Sequence, residues 1–352
     1  MQNINYLKRK LIIVIVSYNR QEDIIKKIKY WSYYNFNVLI LDGSPKKIKK
    51  NKLKLNKLIK YIHMPKVDYH ERIFKIMHLI KYKYIKLEAD DDYFLPSAII
   101  KGLKILEKKK SISAVFGKVG LISCYQNNLY NKQLFLKNKS LLDQKFYPRL
   151  KSYFSTYSPS LYYSVMRTSV FKKNVKMWLL CKKEYQIGYK LFAEICFTMS
   201  TCFSGKIKLI DNLLWMRNDS DISKRIEFPG ISKDYKFKMY KLSKSNYFDK
   251  FIENFFISDI LKKEKKTFFL VKDIVKLHFE KPIKNSVFNK FFYNLIINLF
   301  KKLVPSYLKK KIRFLLKING PSYSDICLKK VKVNYKYESK ELRFVEKIYT
   351  NN

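Results

Sequence analysis

Residues 84–99 read YIKLEADDDYFLPSAI, with four carboxylates (Glu88, Asp90, Asp91, Asp92) crowded into five positions. The apolar run that precedes them predicts a buried strand over 84–89. Pro96 suits the first turn of a helix, which Ile99, Leu103 and Leu106 continue along one face. Like charges packed together repel, and burial raises their pKa values. Carboxylates at a strand end suit a hard divalent cation such as Mg²⁺ or Mn²⁺, which takes its other ligands from water and phosphate. The alternative is a solvated turn.

Working outward, LIIVIVSYN (11–19) is a continuous β-branched run, as in a parallel strand covered on both faces. Ile24, Ile28 and Trp31 follow at helical spacing. NVLILDGSP (37–45) reads as a second strand closed by Asp-Gly-Ser-Pro turn chemistry. Ile73, Ile76, Met77 and Ile80 predict a helix over 71–82. That makes 84–89 the third strand and AVFGKVG (114–120) the fourth. Such alternation predicts an α/β fold, a mostly parallel sheet flanked by helices. Ligands of open parallel sheets bind beyond the carboxyl ends of the strands. Ser17, Tyr18, Asn19 and Arg20 lie at one such end, Asp42 to Ser44 at the next, and Asp90 to Asp92 at the third.

Residues 121–160 are less regular and rich in tyrosine. Periodicity resumes over 161–217, where YQIGYKLFAEICFTMSTCFSG predicts a helix ended by Gly205 and KIKLIDNLLWMR a strand. Beyond about 225 the chain turns strongly basic, with Phe, Tyr, Leu and Ile at helical spacings. This divides it into 1–225, an α/β domain, and 226–352, a basic and mainly helical C-terminal region. Residues 235–284 read as helices packed on the first domain. Residues 285–317, which include FNKFFYNLIINLFKKLVPSYLKKKIRFLLK (288–317), have the character of helices lying on an anionic membrane surface.

The 352 residues carry 74 Lys+Arg against 28 Asp+Glu, a net charge of +46, with 47% apolar residues. The charge favours an anionic partner, but abundant Lys, Ile, Asn, Tyr and Phe with scarce Gly, Pro and Ala also reflect AT-rich codons. The five cysteines (124, 181, 196, 202, 327) show no CxxC and no zinc spacing with the four histidines (63, 70, 78, 278), so reduced, core-filling thiols are expected. No secretory signal is read at the start, and no run reaches the length of a spanning helix. A cytoplasmic protein, soluble or peripheral on the membrane, is the expectation. Neither a Walker loop nor GxGxxG is present, which disfavours kinases and dinucleotide enzymes.

VIVSYNRQEDI, LILDGSP and YIKLEADDDYFLPSAI, in this order and at these separations, resemble the nucleotide-sugar half of the family 2-type glycosyltransferases of GT-A fold. The similarity is to a bacterial subgroup with an ADDD motif and covers residues 11 to about 217. The resemblance implies that Asp42 contacts the base or ribose of the donor, and that the acidic motif holds a divalent metal (Mn²⁺ or Mg²⁺) on its diphosphate. Two registers of the motif are open, one beginning at Glu88 and one at Ala89. Asp90 and Asp92 are taken as the metal side, with Asp90 and Asp91 on the donor side. Ser17, Tyr18, Asn19 and Arg20 join the donor-binding set, with Arg72 and Arg217 at positions where the family places arginines.

AEICFTMSTCFSGKIKLIDNLLWMR resembles the segment whose acidic residue starts a helix beneath the acceptor, which maps Glu194 to the catalytic base of an inverting transfer. YSPSLYYSVMRTSVF resembles the acceptor side, where Tyr162, Tyr163 and Arg167 could meet a sugar or simply pack. The implied partners are a nucleotide-sugar donor, with a UDP-sugar expected, and a glycan or lipid-linked acceptor. The implied setting is bacterial surface polysaccharide, lipopolysaccharide or capsule synthesis, with no nucleic acid. Replacing Asp90 or Asp92 by Ala is expected to abolish transfer and spare the fold. Two other classes stay open: a metal-dependent phosphoryl-transfer enzyme or nuclease using the same carboxylates, and a non-catalytic basic protein binding nucleic acid or membrane.

Overall fold

A computed structural model describes residues 3–125, 128–134, 139–155, 161–184, 189–218, 273 and 336–350. It shows the expected mostly parallel sheet flanked by helices. Strands β1 (Leu11–Ser17), β2 (Asn37–Asp42), β3 (Ile59–His63) and β4 (Tyr84–Ala89) run parallel in the order β3-β2-β1-β4. β1 is buried at every residue, which is why it reads as an unbroken apolar run. Its alternate residues feed two cores. Ile12, Val14 and Val16 face one, Leu11, Ile13 and Ile15 the other.

β5 (Tyr93–Phe94) follows the acidic triplet directly, and β6 (Ile112–Tyr125) forms a hairpin with β7 (Asn128–Leu134). β8 (Val165–Arg167) joins the two halves, antiparallel to both β4 and β6. β9 (Lys206–Asn218) runs parallel to β6 and antiparallel to β5. Phe116 pairs with Leu209 but Lys118 with Leu213, so β9 bulges between them. Gly117 sits at that irregularity, where a Cβ would lie 2.6 Å from the Asn212 carbonyl oxygen. Curled in this way, β9 reaches back to β5, and Leu95 N donates to Leu214 O at 2.9 Å.

Helices α1 (Ile4–Arg9), α2 (Gln21–Tyr34) and α4 (Pro96–Lys108) precede or flank the first strands. On the opposite face lie α3 (Tyr69–Lys75), α5 (Phe146–Ser155), α6 (Thr168–Glu184) and α7 (Tyr189–Ser204). Pro96 opens α4, and α7 ends just before Gly205, as expected. Several sequence expectations needed correction. β3 was missed because IKYIH is short and carries an exposed lysine, so 84–89 is the fourth strand. The helix expected over 71–82 stops at Lys75, after which Met77–Leu79 make a separate 3₁₀ turn. The irregular stretch after 121 holds the rest of β6, β7 and α5.

Most of the region 226–352, including 288–317, lies outside the described residues. One piece of it, α8 (Lys336–Thr350), packs on the first 225 residues. Leu342, Val345 and Ile348 are buried in the α2/α4 core, and the Phe344 ring stacks on Tyr30 at 5.8 Å. Glu341 accepts from Ser97 N at 2.8 Å and Ser97 Oγ at 2.7 Å, which satisfies the open N-terminus of α4. No helix of the described residues is long and apolar enough to cross a membrane.

Candidate active site

Strand register brings the polar ends together. Ser17 pairs with Asp42, Asp42 with His63, and Val16 with Ala89, so the ends of β1 to β4 share one edge. Across that edge Ser17 Oγ donates to Asp90 Oδ2 at 2.6 Å. Arg20, at the start of α2, reaches Asp91 Oδ2 at 3.1 Å and Asp90 Oδ1 at 3.8 Å. Asn19 takes the left-handed backbone (φ 55°) that lets the chain turn off β1, and its N–H donates to Ser44 Oγ at 2.9 Å. Tyr18 stands at the rim, 45% exposed.

Asp42 is fully buried. Its Oδ1 accepts from the backbone N–H and hydroxyl of Ser44, and its Oδ2 from Tyr61 OH at 2.6 Å. The proximity of that charge helps to hold the Tyr61 phenol up, although burial is the larger cause. A carboxylate oxygen has two acceptor sites, so Oδ2 keeps one. Arg72 is also buried, and works as a clamp from below. Its Nη1 donates to Ser17 O and Leu41 O, tying β1 to β2, and its guanidinium lies against Gly43. Burial lowers the Arg72 pKa, against the pull of Tyr69, Asp42 and Asp90.

Asp90 and Asp92 are nearly buried, whereas Asp91 is partly open. Burial, reinforced by the charge of Asp91, pushes both carboxyls up to about 7. Ser17 and Arg20 pull Asp90 back, while the Asn218 backbone N–H and the charges of Lys27 and Arg217 pull Asp92 back. Asp92 holds β9: its Oδ2 accepts from Trp215 Nε1 and its Oδ1 from Asn218 N, each at 2.9 Å.

Beneath the triplet, facing α2, lies a buried charge cluster. Lys27 Nζ donates to Glu88 Oε1, Trp31 Nε1 donates to the same oxygen at 3.3 Å, and Glu88 Oε2 has no hydrogen-bond partner among the described residues. Lys86 donates to Tyr163 O at 2.8 Å and lies over the Phe94 ring. Burial pushes Lys86 well down and Glu88 up, both toward their neutral forms. Glu88 is thus directed under the sheet, which sets it apart from the rim carboxylates.

The structure gathers Ser17, Tyr18, Asn19, Arg20, Asp42, Asp90, Asp91 and Asp92 at one edge, with Arg217 close enough for its charge to act on Asp92. Glu194 falls inside α7, five residues after Tyr189 rather than at the start of the helix, and its side chain lies outside the described part. Arg167 is a tether: it donates to Ile112 O, Leu106 O and Lys109 O, closing the end of α4. Tyr163 packs between Phe94 and Trp215, and Tyr162 against Trp178 and Phe197. His70 is buried against Trp178. Sequence reasoning missed Tyr61 and His63, whose Nε2 is 2.7 Å from Ser44 O, because it missed β3. It missed Lys27 and Lys86 as well; the signal was there in a lysine on the Ile24–Ile28–Trp31 face and another inside an apolar strand.

Among the described residues no three or more His, Cys, Asp or Glu side chains form a cage for an ion. Mg²⁺ needs no such cage: one or two carboxylates suffice when water and phosphate complete the shell. Asp90 and Asp92 have the donor chemistry for that role: the single donor on each Asp92 oxygen leaves an acceptor site, and a cation would offset the Asp91 charge that acts on both.

No family model matches the chain, and no curated protein matches it. Among solved structures it is similar to the crystal structure of S. aureus TarS 1-349, at 14% identity over 85% of this chain and 77% of that one, with a TM-score of 0.46. A crystal structure of TarS 1-349 in complex with UDP-GlcNAc is similar at 13% identity over 77% and 71%, with a TM-score of 0.44. That of S. aureus TarS aligns at 14% identity over 73% of this chain and 44% of that one, with a TM-score of 0.42.

Proposed function

We propose that this chain is a GT-A glycosyltransferase that moves a sugar from a nucleotide-sugar donor, a UDP-sugar in the first instance, to a glycan or lipid-linked acceptor in bacterial surface polysaccharide synthesis. One observation carries the reading: the Ser17–Arg20, Asp42–Ser44 and Asp90–Asp92 strand ends meet at one sheet edge, joined by the Ser17–Asp90 hydrogen bond and by Arg20. The sequence resemblance predicts that edge to be the donor side.

In this reading Tyr18 offers a ring face to the base, and Asp42 stands on the base or ribose side behind Ser44 and Tyr61. Arg20 and Arg217 supply positive charge to the diphosphate. Asp90 and Asp92 would hold Mn²⁺ or Mg²⁺, which when bound neutralises the charge of a departing nucleoside diphosphate. Glu194 takes the proton of the attacking acceptor hydroxyl, making the transfer inverting. Such a base is worth about 10²–10⁴ in rate, so Glu194→Gln should lower kcat at least about a hundredfold and leave donor affinity nearly unchanged. Arg72 shapes the floor between β1 and β2.

The test is thermal unfolding against a panel of nucleoside mono- and diphosphates, with and without Mn²⁺. Stabilisation by UDP or GDP that needs Mn²⁺ supports the reading. No stabilisation by any nucleotide, combined with tight and salt-steep binding of RNA or DNA, would replace it with a nucleic-acid-binding role.

A further inference from the structure

Residues 46–60, which leave the site rim and lead into the edge strand β3, read KKIKKNKLKLNKLIK. They hold eight lysines (46, 47, 49, 50, 52, 54, 57 and 60) and no acid, against 74 Lys+Arg in 352 residues overall, so the density exceeds the chain's own basic bias. All eight are exposed, and none forms an ion pair with a described residue. The segment is anchored: Ile48 and Ile59 are buried, and Ile48 N donates to Tyr61 OH at 3.4 Å. Leu55, between these lysines, is left 41% exposed. At its start Gln21 Nε2 donates to Lys46 O at 2.8 Å, tying the loop to the N-terminal turn of α2 beside Arg20.

We propose that this lysine loop docks the protein on an anionic lipid surface, with Leu55 entering the headgroup layer. Lysines act as point charges and carry no fork for phosphodiester geometry. The segment has no Arg and no aromatic ring on which bases could stack, so a nucleic acid is a poorer fit. Clustered lysines with an exposed apolar side chain suit headgroups, where each basic residue adds attraction and the apolar group adds burial. The inference holds whichever reaction the acidic edge performs.

The test uses the full chain and sedimentation with vesicles, either phosphatidylcholine alone or phosphatidylcholine mixed with phosphatidylglycerol. The K49Q/K50Q/K52Q/K54Q variant should keep the wild-type unfolding temperature and lose at least about tenfold in partitioning onto the anionic vesicles, with salt shrinking the difference. In Leu55→Trp, emission should shift to the blue with anionic vesicles and stay put with neutral ones. Unchanged partitioning of the quadruple variant overturns the proposal. So does a variant that loses binding to a soluble polyanion such as polyphosphate while vesicle binding persists. A Leu55→Trp emission that ignores anionic vesicles overturns the insertion.

Discussion

Burial and the neighbouring Asp91 charge set the behaviour of Asp90, whose carboxyl is pushed up to about 7. An unfolded Asp titrates near 3.9, so between about pH 4 and 7 the folded chain keeps a proton that the unfolded chain releases. The contribution of this group to stability therefore falls as pH rises through that window and is least favourable above it. Asp90→Asn removes the ionisation. In buffer without divalent cations, its unfolding temperature relative to wild type should be higher at pH 8 than at pH 5; a difference flat with pH would show that Asp90 is not raised. Transfer should fall at least about a hundredfold. Asp92 differs, because it holds the Trp215 and Asn218 N–H groups of β9. Leaving buried donors orphaned costs about 1–3 kcal/mol each. Asp92→Ala should therefore lower stability by about 2–6 kcal/mol in urea unfolding, and is no fold-neutral probe of the chemistry, contrary to the expectation from sequence. At Gly43 a Cβ would lie 2.6 Å from Arg72 Cζ, and Arg72 cannot yield without releasing Ser17 O and Leu41 O. Gly43→Ala should disturb both strand ends together.

Helix α8 shows what an element can do that its own sequence does not announce. Its apolar residues Leu342, Val345 and Ile348 recur at helical spacing and could have faced any partner; the structure seats them on α2 and α4. Its Glu341 caps α4 through Ser97, 244 residues earlier in the chain and close behind the acidic triplet. Glu341→Ala should cost about 1 kcal/mol, as loss of a helix cap does, and Val345→Asp about 3 kcal/mol through a buried unpaired charge. Both can be read by urea unfolding of the full chain. A piece ending at 225 lacks these contacts and should unfold more readily than the whole. The elements legible in the sequence were those whose pattern is local: β1 from seven buried residues in a row, and α4 from Pro96 and its apolar face. β3, β8 and the pairing of β5 with β9 were not, because short strands owe their pairing to distant partners. For the same reason the site was legible as three polar strand ends. Its supports, Tyr61, Trp215 and the Lys27–Glu88 pair, emerged only once those ends were brought side by side.

Over the whole molecule, a charge of +46 acts in two opposite ways. Excess positive charge repels itself and weakens the compact state, yet it also raises the local concentration of an anionic ligand. Both effects are screened, since the Debye length falls from about 10 Å at 0.1 M to about 3 Å at 1 M salt. Pairs buried at the site, such as Lys27–Glu88, lie out of reach of that screening and should change little. Raising NaCl should therefore raise the unfolding temperature of the free protein while weakening a nucleoside diphosphate measured at fixed Mn²⁺. Thermal unfolding and ligand titration over the same salt series check the two signs together. If the unfolding temperature fell with salt, surface ion pairs would have to outweigh the self-repulsion. That would require the 28 acidic residues to be paired far more thoroughly than the exposed lysines of the 46–60 segment, which meet no described acid.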